Sequence, residues 1–275
     1  MSIQEHFRSK NYSLIEFDYA QLEIRVLALA SQDPNLIRDI NEGRDMHTYF
    51  ASQIFNAPES SITKEQRKMA KGFSFQLQYG AGAKSIADHW NVDVELAKKF
   101  IKTYYHRYHR VDFWQQEVLR QAESTMDYRG DIDKETNESI PSCFIPSIWK
   151  DKDTGKPVTT YKVLADKPPW SSRYVPPATR CKNFPIQGAA SDIVMLMMHR
   201  FFKKCDNGMV LINSVHDSFL VLCLNSMLGE CARNGVSILS EVPNVLKNSF
   251  FVDSPVEFPV DYSIGSTLQE VKSKG

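Results

Sequence analysis

The sequence predicts an α+β fold with strands at both ends and a mostly helical middle. Residues 12–17 (YSLIEF) form a short apolar run of strand length. Residues 64–126 are dense in helix formers, and the segment VLINSVHDSFLVL contains two apolar runs that meet at an acidic turn, as in a β-hairpin. Strands separated by a long helical stretch favour a sheet that carries a helical insertion.

The bounds of the N-terminal elements are predicted from residues that typically start or end helices and strands. Asp18 ends the first strand, and the following YAQLEIRVLALAS predicts a helix. Asp33 followed by Pro34 is an N-cap with proline at the first helical position, so a second helix should end near Gly43. A third helix is predicted at about 46–55.

The helix with the strongest signals covers about 64–79. Thr63 and Gln66 form a capping-box pattern, and Gly80 and Gly82 provide a stop. Further helices are predicted at about 84–90 and, behind Asp93 as N-cap, from residue 94 with breaks to about 126.

The remaining elements are less regular. Between residues 129 and 177, frequent prolines predict turns and irregular strands. A helix is then predicted at about 187–204, the hairpin around residue 217, a helical region at 228–248 and a last strand at 256–262.

Composition restricts the function only weakly. The 275 residues carry a formal net charge of zero, so no overall basic character indicates nucleic acid. No apolar run reaches the roughly 18 residues that span a bilayer, and no signal-peptide core precedes residue 11, which predicts a cytoplasmic protein. The five cysteines have no CxxC pair, which argues against a disulfide framework or a zinc site: Cys143, Cys181, Cys205, Cys223 and Cys231.

Two acidic positions are candidate ligands for a hard divalent cation. Asp18 ends a buried strand and Asp217 occupies the predicted hairpin tip. Each also has an ordinary interpretation, since Asp18 with Gln21 matches a helix-capping box and aspartate is common in turns. The residues alone leave both interpretations open.

The predicted 64–79 helix carries a stripe of two cations followed by two aromatics. Arg67, Lys71, Phe75 and Tyr79 recur every fourth residue, drifting about 40° around the helix at each step. Such an order suits a triphosphate joined to a sugar and a base. An amphipathic helix with a solvated basic end is the alternative. Asn183 and Gln187 flank a proline in a predicted loop, where they could read base edges or satisfy the backbone.

Taken together and in order, these segments resemble family A DNA polymerases of the bacterial DNA polymerase I type. FDYAQLEIRVLALAS resembles motif A, KEQRKMAKGFSFQLQYG resembles motif B and SVHDSF resembles motif C. EGRDMHTYFASQIF, NFPIQGAASD and FPVDYSIGSTLQEV extend the similarity to most of the chain except about 130–179. That stretch looks closer to shorter phage-type relatives.

The resemblance implies a right-hand polymerase architecture without a thumb. Residues 1–45 and 181–275 would form the palm with its antiparallel sheet, and 46–130 the mostly helical fingers. Residues 131–180 would be an irregular β/loop insertion.

The resemblance also implies a two-metal mechanism. Asp18, Asp217 and the Tyr19 backbone carbonyl would hold two Mg²⁺ ions, for which Mn²⁺ could substitute. Arg67, Lys71 and His47 would hold the triphosphate, with Lys71 also acting in catalysis.

The other implied roles concern the sugar, the base pair and the primer. In the nucleotide site, Phe75 would pack on the sugar, Tyr79 would shape the template-base pocket and Glu23 would exclude ribonucleotides. Gln21 would also bind the nucleotide. DNA-binding roles fall on Asn183 and Gln187 (minor groove), His216 (primer end) and Arg25.

Some positions depart from the family pattern. Ser218 stands where an acid usually follows the motif C aspartate, and Ser74 and Gln76 replace the usual asparagine and glycine around Phe75. Arg180 is one residue out of register with an arginine common in the family.

The expected partners are primer-template DNA, dNTPs and a second polypeptide. Because motif A begins so near the N-terminus, a second chain carrying the thumb and possibly a 3′–5′ exonuclease is expected, with an engineered truncation as the alternative. A phage-encoded chain would act in the cytoplasm of its bacterial host. Two other functions stay open: a single-subunit RNA polymerase-like enzyme, disfavoured by Phe75 and Glu23, and a catalytically weak DNA-binding or assembly subunit.

Overall fold

The computed structural model describes residues 11–132, 139–169, 172–204 and 209–272. Within this part the chain divides into two compact units. The first comprises the residues up to Val26 and those from Ala189 onward, and the second comprises Leu27–Gly188. The N-terminal ten residues and Cys205 lie outside the described ranges.

The described residues contain α-helices and β-strands joined by turns and irregular segments. The helices are α1 (Leu22–Ser31), α2 (Pro34–Asn41), α3 (Met46–Phe55), α4 (Lys64–Gln78), α5 (Ala83–Trp90), α6 (Val94–Arg107), α7 (His109–Ser124), α8 (Ala178–Lys204), α9 (Leu228–Leu239), α10 (Val242–Phe250) and α11 (Leu268–Lys272). The strands are β1 (Tyr12–Tyr19), β2 (Asp127–Ile132), β3 (Ser139–Pro146), β4 (Thr160–Leu164), β5 (Met209–Val215), β6 (Ser218–Leu224) and β7 (Val260–Gly265).

The first unit contains a four-stranded antiparallel sheet in the order β5-β6-β1-β7. Strand β1 is interior, so Ile15, Phe17 and Tyr19 on one face are almost completely buried. The alternating residues of the strand therefore point to the other face of the sheet. Because the predicted hairpin forms as β5 and β6, the combination of α and β elements expected from the sequence is confirmed in its broad form.

Helices cover the buried face of β1. The Phe17 ring packs against the Phe201 ring of α8 with centroids 5.9 Å apart, and the Tyr19 hydroxyl donates to the Leu239 carbonyl of α9 at 2.8 Å. Gly235 of α9 lets the Phe17 ring approach its backbone closely. This packing anchors the strand that carries Asp18.

The second unit has an aromatic core shared by α3, α4 and α6. Phe50 lies 5.6 Å from Phe100 between ring centroids, and Phe73 meets Phe100 edge-on at 5.2 Å. Beside this core, the fully buried Asp39 accepts two hydrogen bonds from Arg107 (2.7 and 2.5 Å) and one from the Tyr108 hydroxyl (2.7 Å). A buried carboxylate is stable when its oxygens are paired in this way.

Helix α4 begins and ends as its sequence predicts. Both hydrogen bonds of the capping box form: the Gln66 N–H donates to the Thr63 hydroxyl at 3.2 Å, and the Thr63 N–H donates to the Gln66 side chain at 3.0 Å. Gly80 adopts a φ of +81°, a conformation that glycine accepts without steric cost, directly after Tyr79, the C-cap of the helix that ends at Gln78.

The prediction for α8 is wrong at its N-terminus. The helix starts at Ala178 and not near residue 187, so the segment with Asn183 and Gln187 is helical and not a loop. Pro185 lies inside the helix and cannot donate to the Cys181 carbonyl. Burial of Cys181 and Ile186 on the helix offsets that lost bond.

Residues 127–164 contain a three-stranded antiparallel sheet in the order β2-β3-β4, with a register shift between Asp127 and Asp131, in the stretch where turns and irregular strands were expected. One further prediction is corrected. The last strand begins at Val260 and not at residue 256, because Pro259 has no N–H for the ladder. The pattern predicted no helix after this strand. Helix α11 forms there, and the Glu270 N–H donates to the Thr267 hydroxyl at 3.2 Å.

Candidate active site

The sheet of the first unit brings Asp18 and Asp217 together. Strand β1 pairs with β6 in the register Asp18↔Ser218, so Asp217 at the turn lies next to the end of β1. The Tyr19 N–H donates to the Asp217 carbonyl at 3.3 Å, and the Asp217 carboxylate is near enough for its charge to raise the pKa of Asp18. Antiparallel pairing thus joins the two aspartates that the sequence singles out.

Two additional acids, which the sequence analysis missed, belong to the same cluster. Asp261 of β7 pairs directly with Asp18, and Glu16 lies two residues earlier on the same face of β1. With Asp217 they line a cavity of about 920 Å³. The alternation Glu16–Asp18 in an otherwise apolar strand was the available signal, whereas Asp261 depends on strand pairing.

The cluster has a definite electrostatic consequence. Burial, followed by the charges of Asp217, Glu16 and Asp261, raises the pKa of Asp18 to about 6. Within the described residues, neither Asp18 nor Asp217 forms an ion pair with a cationic side chain. Two hard oxygen donors with uncompensated charge fit a divalent cation such as Mg²⁺. The described residues contain no cluster of three or more His, Cys, Asp or Glu side chains with metal-site geometry.

The residue before Asp217 at the hairpin tip has a left-handed backbone conformation. This residue, His216, has a φ of +55°, which lets the chain reverse between β5 and β6. Ser218, where the family usually has an acid, donates to the Val215 carbonyl at 3.1 Å and lies 3.3 Å from a Glu16 carboxylate oxygen. Its hydroxyl therefore contacts Glu16 without adding a charge.

The first turn of α1 carries three of the predicted residues. Gln21 is exposed with a φ of +55°, and Glu23 lies in the first helical turn. Arg25 donates to the Ala20 and Glu257 carbonyls, both at 2.7 Å. Burial lowers the pKa of Arg25, with Glu257 opposing the shift. In this structure Arg25 holds the loop before β7 against the start of α1.

The second unit assembles the three predicted phosphate ligands. Arg67 and Lys71 project from α4, and His47 from α3 lies close enough for both charges to act on it. Burial and then Arg67 lower the pKa of His47 to about 4, so its imidazole is neutral at pH 7. Among the described residues, the buried Nδ1 atom of His47 has no hydrogen-bond partner.

Asp45 is a member of this cationic cluster that the sequence analysis missed. It caps α3 by accepting from the Thr48 N–H at 3.2 Å, and it accepts from the Arg67 Nε at 2.7 Å. Because only Nε is used, the two terminal nitrogens of the guanidinium stay available for an anion. The N-cap role was readable from Asp45-x-x-Thr48, but the ion pair was not.

The aromatic half of the α4 stripe is partly exposed. Phe75 is 41% exposed, and the Lys71 ammonium lies 5.7 Å from its ring centroid. Tyr79 forms the C-cap of α4. On α8, Gln187 is exposed, whereas the buried Asn183 Oδ1 finds no hydrogen-bond partner in the part of the chain that the structure describes.

Comparison with known proteins places the chain in a family. The family model for DNA polymerase family A matches residues 1–146, and the chain belongs to that family. The thermostable DNA polymerase I of Thermus caldophilus is 26% identical over 265 residues, covering 96% of this chain and 28% of the relative. DNA polymerase I of Mycobacterium leprae is 25% identical over 256 residues, covering 92% and 24% respectively. The chain therefore spans about a quarter of the length of these relatives.

A solved structure supports the fold. The POL domain of Pol1 from M. smegmatis, in complex with DNA primer-template and dNTP, superimposes with a TM-score of 0.70 at 22% identity. The match covers 96% of this chain and 41% of that one. The similarity establishes a family A polymerase-like arrangement of helices and antiparallel sheets. No helix in the described ranges combines the length and apolar character needed to cross a bilayer.

Proposed function

We propose that this chain carries the catalytic residues of a template-directed DNA polymerase, which transfers a nucleotide from a dNTP to a primer 3′-hydroxyl. The observation that carries the proposal is the juxtaposition of Asp18 and Asp217 at the end of paired strands in a family A fold. In this reading the first unit is the palm, and α3 to α7 belong to the fingers.

Asp18 and Asp217, with the Tyr19 carbonyl, would hold two Mg²⁺ ions. When bound, the ions would supply positive charge to the primer hydroxyl and to the leaving pyrophosphate. The residues fit this role because their carboxylates are close together and lack cationic partners among the described residues. Asp261 and Glu16 would strengthen the local negative potential.

The residues of α3 and α4 would bind the incoming nucleotide. Arg67 and Lys71 supply charge for the phosphates, and the neutral His47 offers a ring nitrogen that has no partner within the described residues. The exposed part of the Phe75 ring offers an apolar surface to the sugar. Glu23 would exclude the 2′-hydroxyl of a ribonucleotide, and Tyr79 would shape the template-base pocket.

Substitution of the two aspartates tests the proposal. Asp18→Asn and Asp217→Asn keep the side-chain volume but remove the charge, so each should lower primer extension by at least about 10³-fold. The matched control is Asp253→Asn. Asp253 is exposed, lies in the loop after α10 and forms an ion pair with Lys247 of that helix. The control should retain activity.

A second readout concerns the metal alone. Millimolar Mg²⁺ should raise the melting temperature of the unsubstituted chain more than that of either variant, because ligand binding stabilises the folded state. Full extension activity in both variants would overturn the proposed mechanism and favour an assembly role. Preferential incorporation of rNTPs over dNTPs would favour an RNA polymerase.

A further inference from the structure

Two thiols of the second unit meet inside its core. Cys143 lies on β3 and Cys181 lies near the start of α8, and both side chains are fully buried. Their sulfur atoms are 3.7 Å apart, although the two residues are 38 positions apart in the sequence. A disulfide joins sulfur atoms about 2.05 Å apart, so each sulfur would have to move by only about 1 Å to form one.

Apolar side chains enclose the pair. Val118 and Ala122 of α7, Ile145 of β3 and Val163 of β4 belong to the same buried cluster. The ordinary explanation of such cysteines is packing, because a free thiol behaves as a small hydrophobic group. Packing alone requires apolar volume at each position, whereas two sulfur atoms in contact also permit a covalent bond. The two explanations are separable by experiment.

The two thiols are not equivalent in acidity. The hydrogen bond from the Cys181 thiol lowers the pKa of Cys143 against the opposing effect of burial, and the charge of Arg180 lowers it further. The thiolate is the nucleophilic form of cysteine. Cys143 is therefore the thiol that reacts first with an oxidant, and Cys181 is placed to react second.

Cys181 lies where the hydrogen bonding of α8 is interrupted. Pro185 has no N–H, so the Cys181 carbonyl lacks the helical bond that would join this turn to the next. Local opening is easiest where backbone hydrogen bonds are missing, and it gives a small solute access to buried groups. A covalent bond between Cys181 and β3 would hold this turn of the helix in place.

We propose that Cys143 and Cys181 form a site of reversible oxidation by hydrogen peroxide, closing a disulfide that clamps α8 to β3. The Cys143 thiolate attacks one peroxide oxygen, the O–O bond breaks, and a sulfenic acid and, after proton uptake, one water molecule form. The Cys181 sulfur then attacks the Cys143 sulfur, the S–O bond breaks, and a second water molecule leaves. The two thiols lose two hydrogens and two electrons in all, and the peroxide is reduced to water. A dithiol reductant reverses the step.

The test is treatment of the folded full chain with hydrogen peroxide, followed by peptide mapping with mass spectrometry. The expected product is a linked pair of peptides that contain Cys143 and Cys181, separated again by dithiothreitol. Closure of the loop between them should raise the melting temperature by about 5 °C or more. It should also slow amide hydrogen exchange in residues 178–184, because the first turns of α8 can no longer open freely.

Cys143→Ser and Cys181→Ser should each lose the cross-link and the rise in melting temperature. Cys231→Ser, at a buried cysteine of α9, is the control and should retain both. The cross-link is measured in the unsubstituted chain, so the test stands even where a serine variant folds poorly. Oxidation to sulfinic acid without a cross-link, or a cross-link that forms only in urea, would overturn the proposal. A cross-link that leaves the melting temperature and the hydrogen exchange of α8 unchanged would overturn the clamp.

Discussion

At the scale of single residues, the pKa of Asp18 reflects both its burial and the charges around it. Burial raises its pKa most, and the charges of the nearby Asp217, Glu16 and Asp261 raise it further. Proteins retain such repulsion where a function requires it, because selection for stability alone would remove it. The cluster is therefore consistent with the proposed cation site.

This repulsion predicts a pH-dependent stability difference. The folded-state pKa of Asp18 is raised from 3.8 to about 6, so its favourable contribution is complete below pH 4 and is lost as the pH rises through 6. Asp18→Asn does not ionise and avoids that loss. Its free energy of unfolding at pH 8 should exceed that of the unsubstituted chain by about 1 kcal/mol, after allowance for solvent screening.

Thermal melts in EDTA at pH 4 and pH 8 would measure this difference. The gain should disappear at pH 4, where both side chains are neutral. Asp253→Asn, which removes an exposed carboxylate, should show no such pH-dependent gain. An equal gain at both pH values would show that packing, and not charge repulsion, accounts for the effect.

At the scale of elements, the contact between α9 and β1 positions the site. Gly235 has no side chain, and a Cβ there would lie 2.1 Å from the Cζ of the fully buried Phe17 ring. Asp18 follows Phe17 on β1. The fit of glycine against phenylalanine therefore fixes the strand that carries Asp18.

Gly235→Ala should consequently destabilise the fold, although alanine is the better helix former. We expect a loss of about 1–3 kcal/mol from overpacking, measured by urea unfolding. Gly229→Ala, on the same helix, is the control, because its nearest neighbour would be the flexible end of Arg233 at 3.5 Å. That variant should be neutral or more stable by up to about 1 kcal/mol. Equal effects of the two substitutions would contradict the packing argument.

Helices α4 and α8 show what a local pattern can predict. The capping box at Thr63 defines α4 because both of its bonds join residues three apart. The start of α8 was missed because Pro185 is locally unfavourable within a helix, and burial against distant residues outweighs that penalty. Cys143 and Cys181, 38 positions apart, likewise meet with sulfur atoms 3.7 Å apart.

At the scale of the whole molecule, the neutral net charge bears on DNA binding. Duplex DNA is gripped mainly through its phosphates, and 33 basic residues are balanced here by 33 acidic ones. We propose that a second polypeptide carrying a thumb, and possibly an exonuclease, supplies additional contacts with the DNA phosphates. In a primer-extension assay with excess trap DNA, the chain alone should add only a few nucleotides per binding event.

Adding that polypeptide, identified by co-purification from the native source, should lengthen the products and weaken their sensitivity to salt. Asp18→Asn should remain inactive in the assembled enzyme. This result would distinguish weak DNA binding by the chain alone from the loss of a catalytic carboxylate. Long products from the chain alone in the presence of trap DNA would contradict the need for a partner.

The family and most helices could be predicted from the sequence because motifs, caps and turns depend on residues close together in the chain. The α4 stripe from Arg67 to Phe75 and the acidic hairpin tip at Asp217 are of this kind. The inclusion of Asp261 in the acidic cluster and the ion pair of Asp45 were decided by tertiary structure. Strand register and packing bring such groups together across many residues, and no local pattern encodes those distances.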